Sequence, residues 1–362
     1  MITHPVRWAS LLVVSTGCQK LLGFEEAIAV DATSPIDSPI DDAATDSPLG
    51  TFCYGTDPVR PCFETEPTGT LTLTQGFNTD ADCPRSMVLD GRVACVVAAQ
   101  TITFAGGTSR FTGSLPLVLV GTVSIAVNGS STIDLSSSKI QSRAGAGSDP
   151  QDCEQSMVLS QQVGSAGGTF GAKGGTGGSV SGIPGGAPPS VTPISFRGGC
   201  AGSSLLGNTG GPGGGAVTLI TSALNLGGVV LATGGGGLGG NPGLGGAGGG
   251  SGGYIAIDTA SITFGPAAQL IAVGGGGGGG GCNGAPGSAG DDATVEILAL
   301  GGGGGGAGGD GGEGGFDTVG GNGGSSTGAC GGGGGGGGAG VIRMFNSIAC
   351  PQSVCFPPAL NR

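Results

Sequence analysis

Short stretches of alternating apolar and polar residues recur along the chain, and glycine-rich stretches separate them. Four stretches share one plan, with an alternating segment, a glycine turn and a second alternating segment, and they begin at Ile102, Val123, Leu224 and Ile262. A period of two indicates half-buried β-strands. Because repeated strand–turn–strand units are typical of stacked solenoids, we predict an all-β fold with parallel β-helix or solenoid-like repeats. An irregular β-sandwich with long loops is the alternative.

Glycine is the dominant residue, with 88 of 362 positions and unbroken blocks at residues 274–281, 301–306 and 331–338. The glycines do not fall on every third position, which excludes collagen. The blocks carry almost no charge, unlike solvated linkers. Because no Cβ intervenes, extended glycine segments can pack side by side and pair their N–H and C=O groups laterally. We therefore expect ordered Gly-rich inserts, which can form polyglycine II.

Changes in composition divide the chain into five segments. We predict a signal peptide at residues 1–17, a lipidated cysteine and acidic Pro-rich tether at 18–50, a Cys-containing β cap at 51–100, a Gly-rich β-repeat domain at 101–345 and a Cys-containing tail at 346–362. The tether has too few apolar residues to bury a core, so we expect it to be extended.

Residues 1–18 follow the order of a bacterial lipoprotein signal. Arg7 precedes a short apolar stretch, and three small residues precede Cys18. This order resembles a lipobox, although Ser15 stands where such signals usually carry Leu. We predict that Cys18 is lipidated after cleavage, and an ordinary secretory signal is the alternative. No later stretch reaches the ~18 apolar residues of a membrane span, so acyl chains would be the membrane attachment.

The chain has eleven cysteines, and assigning Cys18 to lipid leaves an even number for disulfides. Ten exported cysteines indicate up to five disulfides in an oxidising compartment. Sequence leaves the connectivity open, and a metal site is the rival interpretation, although the chain has no CxxC pair. Pairing of neighbours gives Cys53–Cys62, Cys83–Cys95, Cys153–Cys200, Cys282–Cys330 and Cys350–Cys355.

Charge and histidine content exclude several functions. The net charge is −12, and no cluster of Lys and Arg is present, so we expect no nucleic-acid partner. His4 is the single histidine and lies in the predicted signal peptide. A mature chain without histidine would lack Ser-His and Cys-His dyads and His-ligated zinc. We predict no catalytic residue and no cofactor.

Two weaker candidates for chemistry involve carboxylates. Residues 305–313 match the start of a calcium-binding repeat without its large apolar residue, which makes Asp310, Glu313 and Asp317 weak calcium candidates, with a plain solvated turn as the alternative. Asp134 and Asp258 stand alone in strand-like segments, where a polysaccharide lyase or hydrolase would need paired carboxylates. Either residue could instead cap a corner of the fold.

Two resemblances to known families follow from these motifs. The blocks within residues 274–340, with Cys282 and Cys330 beside them, resemble the glycine-rich region of anaplastic-lymphoma-kinase-type receptors and of phage tail adhesins, which implies bundled polyglycine helices. The lipobox, tether, cap and repeats such as AVTLIT and LNLGG resemble uncharacterised glycine-rich bacterial lipoproteins that are labelled PE-PGRS-like. This chain has no N-terminal Pro-Glu domain, so the label implies no activity.

The sequence therefore predicts a lipoprotein exported to the outer membrane or cell surface of a Gram-negative bacterium. We expect a structural, adhesive or binding role without catalysis, and a β-helix polysaccharide-active enzyme is the alternative. The expected partners are the membrane, through the lipid anchor, and glycans, matrix or further copies of the chain.

Overall fold

The computed structural model describes residues 51–361 except 140–142, 155, 157, 159, 192–193, 206 and 295–297. The predicted signal peptide, Cys18 and the tether lie outside these residues. In the described part the fold consists of strands without α-helices. No helix there is long and apolar enough to cross a membrane. The strands are β1 (Phe52–Cys53), β2 (Cys62–Phe63), β3 (Thr70–Leu73), β4 (Ser86–Leu89), β5 (Arg92–Phe104), β6 (Gly107–Arg110), β7 (Leu117–Val127), β8 (Ser131–Asp134), β9 (Ala216–Leu226), β10 (Val229–Leu231), β11 (Tyr254–Phe264), β12 (Gln269–Ile271), β13 (Val341–Met344), β14 (Cys355–Phe356) and β15 (Leu360–Asn361).

Two parallel sheets hold most of these strands. The larger sheet has the order β15-β13-β11-β9-β7-β5-β3, and the smaller has the order β14-β12-β10-β8-β6. β4 adds to β5 in the antiparallel direction, and β1 pairs with β2 separately. Each of the four units predicted from sequence supplies the end of a strand in the large sheet and the next strand in the small one.

The register places like residues on top of one another. Ile102 of β5 pairs with Ile125 of β7, which pairs with Leu224 of β9. In the small sheet Ile133 pairs with Val230, which pairs with Leu270. All six side chains are buried in one hydrophobic cluster that joins the two sheets. The repeated apolar positions therefore fix the register, since a slip by one residue would turn each of them to the opposite face.

The predicted fold class is wrong. The strands form parallel sheets, and the described residues show no closed parallel β-helix or solenoid. The parallel pairing also differs from the antiparallel sheets typical of a β-sandwich, which was the alternative. The chain leaves the sheets after β8, β10 and β12 and returns at β9, β11 and β13 through long glycine-rich segments that contain no strand longer than a bridge in their described parts. Alternation could identify the strands, but it carried no information on how these segments connect them.

The glycine-rich segments form a hydrogen-bonded bundle, which is centred on residues 331–340. Successive N–H groups of this central segment point in three directions, so that every third residue donates to the same neighbour. This repeat is that of a polyproline II conformation, which has three residues per turn and no internal hydrogen bonds. The N–H groups donate to residues 272–281, 162–168 and 318–324, while the carbonyl groups of 331–339 accept from residues 172–178, 246–252 and 309–315.

Six neighbouring chain segments therefore surround the central segment. Their backbones lie so close to it that only glycine fits at residues 331–338. A Cβ added at any of residues 331–338 would lie within 3.0 Å of a backbone oxygen of another segment. Real Cβ atoms essentially never approach so closely, and a backbone oxygen cannot move aside as a flexible side chain can. The side chains are absent because the hydrogen-bonded backbones occupy their space.

We predict that Gly334→Ala destabilises the protein strongly, because its Cβ would overlap the carbonyl oxygen of Ala247. The loss should be at least about 2–3 kcal/mol, as for an overpacked core, and should lower the midpoint of thermal unfolding by several degrees. Gly303→Ala is the matched control, since an added Cβ there meets nothing within 4 Å. Equal unfolding temperatures for the two variants would contradict the bundle.

Candidate functional site

The glycine bundle presents one outer face on which side chains occur at every third residue. Along residues 173–179, 310–316 and 319–325, every third position is exposed, except that Ser179 is half-buried, and the residues between them are mostly small and less exposed. A period of three matches the three residues per turn of these segments and spaces the side chains about 9 Å apart. We call this surface the outer face, and its members are Lys173, Thr176, Ser179, Asp310, Glu313, Phe316, Val319, Asn322 and Ser325.

Hydrogen bonds fix neighbouring rows of the outer face in register. The N–H and hydroxyl of Thr176 both donate to Asn322 Oδ1, each at 2.9 Å. The hydroxyls of Ser179 and Ser325 lie 2.9 Å apart. Backbone bonds from residues 320, 323 and 326 to residues 173, 176 and 179 hold the two segments parallel. Thr176, Ser179, Asn322 and Ser325 thus form an ordered polar array within the outer face, which also exposes the apolar Phe316 and Val319.

A groove with several charged side chains in its lining lies at the start of strands β5 and β7. It consists of two adjoining pockets of about 440 and 450 Å³, which share Ser114, Ser148 and Asp149. Three arginines line it against one aspartate, although acidic residues outnumber basic ones two to one in the whole chain. We call it the arginine groove, and its arginines are Arg92, Arg143 and Arg197.

A shared carboxylate positions two of these arginines. Asp152 Oδ2 lies 2.6 Å from Arg92 Nη2 and 3.7 Å from Arg197 Nε. The Arg197 side chain is only 2% exposed, and its guanidinium lies over the ring of Phe170 at 4.7 Å. Burial lowers the pKa of Arg197, and the charge of Asp152 opposes that change. The disulfide Cys153–Cys200 ties the two chain segments together beside this pair.

Asp149 lies where the two pockets of the groove meet. Its Oδ1 accepts a hydrogen bond from the N–H of Gly213 at 2.9 Å, and its own N–H donates to the carbonyl of Gly199. Part of the residue is exposed, but protein surrounds the carboxylate, and this desolvation raises the pKa of Asp149 to about 6 against the effect of its backbone hydrogen bonds. The Oγ of the preceding residue, Ser148, is buried without a hydrogen-bond partner among the described residues.

The ten predicted disulfide cysteines form five pairs, and the pairs are those expected from their spacing. Cys282–Cys330 joins two segments of the glycine bundle, since each cysteine adjoins a glycine block. Five disulfides indicate an oxidising, extracellular environment and are consistent with export.

The carboxylates singled out in the sequence do not converge. Asp310 Oδ1 accepts from the N–H of Gly304, and Glu313 lies one turn farther along the same segment, about 9 Å away. In the described part of the chain, no group of three or more His, Cys, Asp or Glu side chains is placed to hold a metal, so Asp310, Glu313 and Asp317 form no such group. Asp134 pairs with Arg110 at 2.6 Å, and Asp258 accepts from Asn346 at 3.1 Å.

Sequence reasoning missed the arginine groove because its residues come from distant parts of the chain. One signal was present. The predicted pair Cys153–Cys200 brings Asp152 and Arg197 close together, since both lie within three residues of a bridged cysteine. Nothing in the sequence connects Arg92 or Arg143 to them.

The chain was compared with protein-family models, curated proteins and solved structures. None of them matches. The outer face, the arginine groove and the disulfides are the features of the described residues that bear on function.

We predict that Asp149→Asn stabilises the protein at neutral pH. The pKa of Asp149 is about 6 in the folded protein and about 4 in an unfolded chain, so the folded state holds this proton more tightly. The resulting contribution to the free energy of unfolding is complete below about pH 4. It is lost as the pH rises through 6. Asn keeps the acceptor for Gly213 without the charge. The unfolding temperature of the variant should therefore exceed that of the wild type at pH 7.5, and the difference should shrink towards pH 4.

The exposed Asp317→Asn serves as the control, because it removes a charge without relieving desolvation. A difference between Asp149→Asn and wild type that stays constant from pH 4 to pH 7.5 would refute the raised pKa.

Proposed function

We propose that this chain is an exported lipoprotein of a Gram-negative cell surface with a structural or adhesive role and no catalysis. The observation that carries the proposal is the outer face, where polar side chains stand in register on a backbone scaffold. An array of this kind offers several weak contacts at regular spacing, whose combined strength exceeds that of any one of them. Such multivalency suits attachment to glycans, to matrix or to further copies of the chain.

The internal bonding of the candidate catalytic groups also supports a role without catalysis. Asp134 is held by Arg110, and Asp258 is held by Asn346, so each carboxylate has a partner within the fold. They lie in different sheets, on β8 and β11. A glycosidase would instead need two carboxylates flanking one bond of the substrate.

We predict that Cys18→Ser abolishes lipid attachment. Cells fed radiolabelled fatty acid should label the wild-type chain, which should fractionate with membranes, whereas the variant should be unlabelled and released. A wild-type chain that is unlabelled and soluble would end the lipoprotein proposal.

We predict that Asn322→Arg combined with Ser325→Arg reduces adhesion severalfold. Both positions are exposed, so the added side chains should project outward and interrupt the array without entering the bundle. Attachment of cells to polysaccharide-coated surfaces and settling of cell suspensions would be measured at equal surface amounts of protein. The control is Val88→Arg at an exposed position on β4. If the control and the double variant behave alike, the outer face is not the adhesive surface.

A further inference from the structure

The arginine groove has the composition of a ligand site. Its two adjoining pockets, at about 440 and 450 Å³, fall within the usual range of about 300–1,000 Å³ for small-molecule sites. Hydroxyl and amide side chains line it beside the charges, namely Asn78, Thr112, Ser114, Ser148 and Gln151. A groove with this lining offers both donors and acceptors to a ligand rich in hydroxyl groups.

The three arginines of the groove differ in whether they have an ionic partner within the protein. Arg92 and Arg197 share Asp152, and Arg197 is also covered by Phe170. Arg143 has no ion pair among the described residues and is exposed at the other end of the groove. Its guanidinium can therefore form the paired hydrogen bonds with a carboxylate that arginine makes best.

Asp149 and Ser148 complement this cation at the junction of the two pockets. The Asp149 carboxylate can accept hydrogen bonds from hydroxyl groups of a ligand, while its negative charge disfavours ligands that are densely anionic throughout. The Oγ of Ser148 is buried at this junction and has no hydrogen-bond partner among the described residues. The groove therefore favours a ligand with many hydroxyls and isolated carboxylates over a polyphosphate.

We propose that the arginine groove binds a uronic-acid-containing carbohydrate, with Arg143 pairing with a sugar carboxylate and Asp149 accepting from neighbouring sugar hydroxyls. Two adjoining pockets provide room for successive sugar units of one chain. This site is separate from the outer face, so either proposal can fail without the other.

The test is calorimetric titration of the purified full chain with a short oligogalacturonate and with its methyl-esterified form, which lacks only the charges. We expect binding of the acid form and at least about tenfold weaker binding of the ester. Arg143→Gln should weaken binding of the acid form about tenfold or more, because it removes a charge-assisted hydrogen bond. Arg60→Gln removes an equal charge at an exposed position outside the groove and should leave binding unchanged.

Three results would overturn the proposal. The first is equal affinity for the acid and the ester, and the second is equal loss of binding in Arg143→Gln and Arg60→Gln. The third is competition by inorganic phosphate that displaces the oligogalacturonate at the same concentration as free galacturonate does. Absence of binding by a wild type that unfolds cooperatively on heating would overturn it as well.

Discussion

The structure depends on one constraint, which is that buried backbone N–H and C=O groups must find partners. Residues 331–338 of the glycine bundle have no side chain that could bury apolar surface, so the backbone itself makes the packing contacts there. The central segment at residues 331–340 meets this requirement by bonding to six neighbours. Glycine loses more conformational entropy on ordering than any other residue, and the dense network of short backbone contacts offsets that loss.

This constraint also explains the position of the few side chains in the bundle. Inner positions have no space for a Cβ, whereas every third residue of an outer segment faces solvent. On residues 173–179, 310–316 and 319–325 the larger side chains therefore lie on the outer face, and hydrogen bonds hold some of them in register. The sheets bear the apolar core. Cys83–Cys95 attaches a loop of the cap to β5, Cys153–Cys200 lies beside the groove, and Cys282–Cys330 joins two segments of the bundle. The arginine groove lies at the sheet end of this assembly, where β5 and β7 begin.

Much of the local structure could be predicted from sequence, because alternation and spacing are local signals. The units at Ile102, Val123, Leu224 and Ile262 appear as strand, turn and strand. The class inferred from them is wrong, because repetition of units does not show how the chain travels between them. The period of three in Asp310, Glu313 and Phe316 was visible, but it could be interpreted only once the segment was known to have three residues per turn. The arginine groove depends on contacts over long sequence distances, such as that between Arg92 and Asp152, which have no local signature.

Backbone hydrogen bonding in the bundle is the central claim, and amide hydrogen exchange tests it most directly. Exchange rates would be measured in the native protein for residues 331–338 and for the core strands β9 and β11. The account predicts protection of the glycine amides comparable to that of the strands, because each N–H is bonded and buried. Exchange of residues 331–338 at the rate of an unstructured chain, while β9 and β11 stay protected, would contradict it.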